Sequence, residues 1–128
     1  MSAVDDLADY LETAGHGTVG TDIFKDRMPP SPTACTVLYQ YGGETPEVLC
    51  GIEYPLIQIK TRGADRDEAL TRIYDARNKI HLLHNETINS INYLFVQALD
   101  SPAFLGYDRQ RDQGNPVYGM NFRVVRII

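Results

Sequence analysis

Between residues 54 and 85 the chain changes its pattern from that of a strand to that of a helix, and this switch limits the fold more than any other stretch. Residues 54–61, Tyr-Pro-Leu-Ile-Gln-Ile-Lys-Thr, have strand composition and end near Gly63. Asp65, with Glu68 three residues on, forms an Asp-type capping box that offers acceptors to the unpaired N–H groups of a first helical turn. The stripe Ala69, Ile73, Ala76, Ile80 and Leu83 then keeps one helical face apolar. Glu68 with Arg72 and Asp75 with Lys79 stand as i,i+4 pairs on the wet side. Burying Ile73, Ile80 and Leu83 contributes about 1.5–3 kcal/mol each, against about 1–2 kcal/mol for every backbone residue ordered, so the helix requires a sheet beneath it.

The remaining elements supply that sheet. Ser2 can cap a first helix whose apolar positions Val4, Leu7, Ala8 and Leu11 share a face, and Gly15 stops it. Residues 21–28 read as a brief edge strand, closed by Pro29, Pro30 and Pro32, which force an exposed, extended connection. Residues 34–41 form a strand with apolar weight on both faces, and Gly42 and Gly43 break it. Residues 44–53 are either a long hairpin tip or a loop. Residues 87–98 and 117–127 alternate as further strands, and residues 104–113, rich in Asp, Gly and Arg, are expected to be an exposed excursion. The expected fold class is α+β: one domain over residues 1–128, with a mainly antiparallel sheet packed against a short N-terminal and a long central helix.

Charge narrows the function. The net of −5 lies wholly in residues 1–64, and Asp5, Asp6, Asp9 and Glu12 crowd the first helix, so binding to nucleic acid through a basic surface is disfavoured. No apolar run approaches the roughly 20 residues of a membrane span, and the acidic N-terminus is unlike a signal peptide, so the chain is expected inside the cell that makes it. Cys35 and Cys50 are accordingly expected as free thiols, with pairing across neighbouring strands as the alternative.

Few residues carry the pattern of a chemical site. Residues 15–20, Gly-His-Gly-Thr-Val-Gly, match a dinucleotide fingerprint in letters, but that motif needs a strand before it and a helix after it, the reverse of the order here. His81 and His84, near Glu86, lie on the last turns of the long helix and read as surface imidazoles at a helix C-terminus rather than as metal ligands. Neither cysteine has a base beside it in sequence, and Asp108 and Asp112 are neutralised by Arg109 and Arg111. The expectation is no catalytic residue, no cofactor and no metal.

Two segments resemble a known family. The run from Tyr54-Pro55-Leu56-Ile57 through Gln58-Ile59-Lys60-Thr61-Arg62-Gly63-Ala64-Asp65 into Glu68-Ala69 looks like the strand-to-helix signature of the tail terminator and minor capsid families of long-tailed phages. Pro102-Ala103-Phe104-Leu105-Gly106-Tyr107-Asp108, with a last strand ending Asn121-Phe122-Arg123-Val124, is similar to the family's closing segment. The resemblance implies a structural virion protein at the head-proximal end of the tail, present in the host cytoplasm during assembly. It implies a ring of six copies that ends polymerisation of the tail tube protein and presents a surface to a head completion or connector protein. DNA would pass through the ring without sequence-specific binding.

Under that resemblance the two long loops are the expected contact surfaces: Gly42, Gly43, Glu44 and Glu47 in one, and Phe104, Tyr107, Asp108, Arg109 and Arg111 in the other. Arg62, with Gln58, is a polar residue of the signature placed to reach a neighbouring subunit, and Asp5, Asp6, Asp9 and Glu12 are candidates to face the channel. The alternatives are another neck component, a head completion or minor capsid protein, and more distantly a small cytosolic binding module or enzyme.

Overall fold

Local signals in the sequence set the helix ends in a computed structural model of the chain, which describes residues 2–47, 51–108 and 114–127, with the backbone alone for 44–47. Helix α1 (Ala3–Thr13) starts at Ser2, whose hydroxyl accepts the Asp5 N–H at 3.2 Å while the Asp5 carboxylate accepts the Ser2 N–H, a complete capping box. It stops because Gly15 adopts φ +90°, which lets His16 N–H reach the Leu11 carbonyl and Gly15 N–H the Glu12 carbonyl, a Schellman turn. Helix α2 (Arg66–Ile80) is capped by Asp65, which accepts the Glu68 N–H at 2.9 Å.

Seven strands pair among the described residues: β1 (Ile23–Lys25), β2 (Cys35–Glu47), β3 (Ile52–Arg62), β4 (His84–Ile88), β5 (Ile91–Ala98), β6 (Ala103–Asp108) and β7 (Asn115–Ile127). Their order is β1-β2-β3-β7-β5-β4, and only the short β1–β2 pair is parallel. Strand β7 has β3 along one side, while its other side is shared: β6 pairs with its first half and β5 with its second. At the fork the Asp100 carboxylate accepts from both the backbone and the side chain of Asn121.

Both helices cover one face of the sheet. Register places Leu38, Ile59 and Met120 in one row and Ile57 and Phe122 in the next, all without solvent exposure, beneath Leu7 and Leu11 of α1 and Ile73, Ala76 and Ile80 of α2. The α+β class and the two helices thus match the expectation, and strand periodicity accounts for the agreement.

Four expected elements differ in the structure. The glycines at 42 and 43 do not end β2; it continues to Glu47 and pairs with β3, bending at bulges after Gln40 and Glu44. Of the two options for residues 44–53, the long hairpin is the one formed, and Cys50 lies outside the described residues. The expected excursion at 104–113 is a strand over 104–108, because β7 offers it an unpaired edge, while Arg109, Arg111 and Asp112 lie outside the described residues.

The strand expected over 87–98 is instead a hairpin, folded at Asn89 and Ser90 with φ +50° and +68°. The long helix ends at Ile80 rather than running on to Leu83. Leu82 N–H goes to the Val96 carbonyl and Val96 N–H to the Leu83 carbonyl, so pairing with β5 takes over from the helical ladder.

Candidate interaction surfaces and buried polar clusters

Among the described residues, two buried polar clusters anchor α1 and the turn that ends it. In the first, His16 is delivered to the interior by the turn that ends α1. Its Nδ1 is 2.7 Å from Asp75 Oδ2 on α2, and its Nε2 is 2.7 Å from Thr36 Oγ1 on β2. Arg72 donates to the same hydroxyl through Nε at 3.2 Å and Nη2 at 3.0 Å. Two incoming donors fill the lone pairs of Thr36, so its own proton points to His16 Nε2, and the imidazole is neutral with its proton on Nδ1. Burial pushes the His16 pKa down, outweighing the Asp75 hydrogen bond that would raise it. Asp75 is held below the usual carboxylate range: burial opposes this, but hydrogen bonds from Lys79 and His16 prevail.

Thr36, His16 and Asp75 have the connectivity of a hydroxyl nucleophile, base and orienting acid, yet Thr36 has no solvent exposure and its oxygen already accepts from Arg72. The group ties the end of α1, α2 and β2 together.

The second cluster corrects a channel candidate. Asp6 has no exposure; its carboxylate accepts from the Tyr93 hydroxyl and from Asn89 Nδ2 at 2.9 Å, with Arg126 Nη1 at 3.6 Å and Glu53 on the far side of that guanidinium. Asp6 points into the sheet because its position on α1 turns toward β5 and β7, so it faces no channel. Asp5 binds Ser2 and Lys25, and the Lys25 hydrogen bond first among these contacts lowers its pKa. Half-buried Asp9 accepts from Asn89, and exposed Glu12 accepts the Val19 N–H at 2.6 Å.

Arg62 is also corrected. Its side chain is 1% exposed and is spent inside the subunit, on the Pro32 and Thr33 carbonyls at 2.6 and 2.9 Å and on Asp108. It clamps the proline connection and β6 to β3, so neither Arg62 nor half-buried Asp108 projects outward as a contact residue. Phe104 and Tyr107 do project, 50% and 57% exposed, with their rings 5.2 Å apart. Gly42 and Gly43 lie in exposed backbone of β2; Glu44 and Glu47 are in that strand, their side chains outside the description.

Glu68 turns back to the Ala64 N–H at 2.8 Å rather than to Arg72, whereas the Asp75–Lys79 pair forms at 2.7 Å. His81 is the residue that ends α2, and its Nδ1 accepts the Ala98 N–H; His84 opens β4, so the two do not share a helical face. Cys35 is a buried free thiol whose pKa burial pushes up.

The sheet face away from the helices was not singled out from sequence. Register puts Tyr39, Gln58 and Asn121 in one row there, Lys60 in the next and Arg123 opposite Leu56. Lys60 lies over the Tyr39 ring at 5.1 Å and Arg123 over the Tyr54 ring at 4.9 Å. Tyr41, 48% exposed, stands at its edge. The alternation 54, 56, 58, 60 against buried 57 and 59 was the available signal.

The family description "Bacteriophage tail terminator protein" matches residues 10–126, from α1 to the end of β7. The chain belongs to the bacteriophage tail terminator family. This member is thus a structural protein of the phage virion, a component of the tail. It is similar in fold to a chain from the "Virion of native gene transfer agent (GTA) particle", with a TM-score of 0.50 and 16% identity, covering 98% of this chain and 85% of that one. No curated protein matches it. In this tail terminator family member the signature segment 54–69 is scaffold: Gly63 lies so close to α2 that a Cβ there would meet the Ala69 nitrogen at 2.6 Å. Among the described residues no helix is long and apolar enough to cross a membrane.

Proposed function

We propose that copies of this protein close into a ring on the finished tail tube, stop addition of tube protein, and present the surface to which a head completion or connector protein binds. The observation that carries this reading is the family match over 10–126, which takes in nearly every element of the fold. Two exposed surfaces support it: the aromatic strand β6 and the outer sheet face. Subunit contacts are enriched in aromatic side chains and in Arg. Six copies are expected in the ring, and DNA passes through without base-specific contacts.

Electron microscopy of tails assembled with and without the protein tests this. Overlong tubes in its absence, returning to uniform length when it is restored, are the expected result. Uniform tubes in its absence overturn termination. Uniform tubes that fail to join heads favour instead a role confined to the neck connection.

A further inference from the structure

We infer that neighbouring copies join by extending the sheet: strand β6 of one copy pairs antiparallel with the outer edge of β2, beyond Leu38, in the next. The inference rests on the ring reading above. An unpaired row of N–H and C=O groups at a sheet edge is a template for another strand. Two edges of this sheet are covered: Val19 bridges to β1, with Gly20 N–H on the Ile23 carbonyl at 2.8 Å, and β4 runs beside α1, where Asn89 Nδ2 donates to Asp9 at 3.0 Å. Two others are bare. Strand β1 meets β2 only at Thr36, Val37 and Leu38, so among the described residues β2 has no strand on its outer side from residue 39 on, and β6 has β7 on one side alone.

The two bare edges present main-chain groups at matching intervals. The Leu38 carbonyl accepts the Asp26 N–H, so Leu38 points out of the β2–β3 pair and, by alternation, Gln40 does too. Gly43, past the bulge, stands opposite Pro55, which has no N–H to give, and also points out. On the other side of the sheet, the Pro116 carbonyl faces β3, where it accepts the Gly63 N–H, so its partner Tyr107 turns its own N–H and C=O outward. Phe104, opposite Tyr118 two residues along β7, does the same. Each edge thus offers two outward residues, 40 and 43 or 104 and 107, with a bulge between them. The neighbouring strand spans each interval in two residues, 57 to 55 on β3 and 118 to 116 on β7, so the intervals are equal in length.

Sense and face agree as well. Strand β2 runs antiparallel to β3, β3 to β7 and β7 to β6, so a copy that continues the sheet brings its β6 antiparallel to β2. Gln40 then exchanges hydrogen bonds with Tyr107, and Gly43 with Phe104. Gln40, in register with buried Ile57, and Phe104, in register with Tyr118 and Thr61, lie on the helix side of the sheet, so both copies keep their helices on one side. Leu105, over Gly119, lies on the other, so pairing covers exposed apolar side chains on both faces. Residues 40–43 and 103–107 carry none of the charges that guard edges against pairing. A second copy is the occupant because this chain supplies both edges, and unlike edges make the heterologous contact that repeats by rotation and closes into a ring.

The test uses variants read by sedimentation and native mass, with folding checked by circular dichroism. Gln40→Pro and Phe104→Pro each remove an outward N–H that the subunit's own ladder does not use, and should raise the concentration needed for ring assembly by about tenfold or more. Gln40→Ala keeps that N–H and should change it by less than about twofold. Gln40→Cys with Tyr107→Cys, in a Cys50→Ser background, tests the register directly. Within one subunit three strand spacings, about 14 Å, separate positions 40 and 107, so only a bond between copies can form. Mild oxidation should yield covalent oligomers up to the full ring, whereas an equal mixture of the two single-cysteine variants should stop at dimers.

Folded Gln40→Pro and Phe104→Pro proteins that form rings at wild-type concentration overturn the inference and leave the ring reading standing, as do double-cysteine rings that fail to cross-link. Dimers cross-linked from Tyr107→Cys alone show β6 pairing with itself and overturn it too. Proline variants with normal rings that no longer bind tail tubes assign these edges to the tube protein instead. Wild-type protein that stays monomeric both in solution and on tail tubes overturns the ring reading itself.

Discussion

At the scale of single residues, the side chains that organise this subunit are polar ones that the sequence displays without explaining. His16 sits in a Gly-rich stretch that resembles a nucleotide fingerprint, but in the fold it is a neutral, buried link between Asp75 and Thr36. Because burial lowers its pKa, the unfolded chain takes up a proton below the ordinary value of 6.5 while the folded protein does not. Stability should therefore be complete above pH 6.5 and fall as pH drops toward the carboxylate range. Urea unfolding across that window checks it, and His16→Gln should be less stable at neutral pH but show a flatter dependence there. Asp6→Ala removes the acceptor of the buried Tyr93 hydroxyl and of Asn89 while Arg126 keeps Glu53, and should cost about 1–3 kcal/mol, whereas Asp9→Ala should cost under about 1 kcal/mol. Equal losses for the two would show that Asp6 does not hold α1 down. Asp6 and Asp9 look alike in sequence; only a rotation of about 60° around the helix axis and the partner beneath it tell them apart.

At the scale of elements, the helices were legible because their caps and stripes are local. Ser2, Asp65 and the run Ala69, Ile73, Ala76 and Ile80 lie where the sequence puts them. The reason for Gly63 was less visible: it is needed for space against the start of α2. Gly63→Ala should destabilise by about 1–3 kcal/mol through overpacking, measured as a lowered denaturation midpoint with an unchanged slope. No loss would mean that the turn can move away. The two long loops expected to make contacts became largely strands, since an unpaired edge of β3 or β7 offers hydrogen bonds that a loop would otherwise seek from water. Loss of residues 44–48 would thus shorten the β2–β3 hairpin, so replacing Phe104 and Tyr107 with Ser is the cleaner probe of a contact surface. Those side chains are half exposed, and their replacement should leave stability within about 1 kcal/mol while weakening assembly. Unchanged assembly would remove β6 from the contact surface.

At the scale of the whole molecule, the central strands tie both helices into one cooperative core. Cys35, buried on β2 with its thiol pKa pushed up, reports on that core. Its alkylation should be slow in the native protein and should follow the global unfolding free energy as urea is added. Fast labelling in the absence of denaturant would show that β2 opens independently.

The sequence by itself determined the α+β class, both helix starts, the strand-to-helix signature and the family likeness, because capping and periodicity act over a few residues. Only the tertiary structure decided that α2 yields to β4 after Ile80, that Arg62 and Asp6 turn inward, and that Lys60 and Arg123 share an outer face. Each of those outcomes depends on which strand lies next to which, and pairing between residues dozens of positions apart leaves no local mark on the chain.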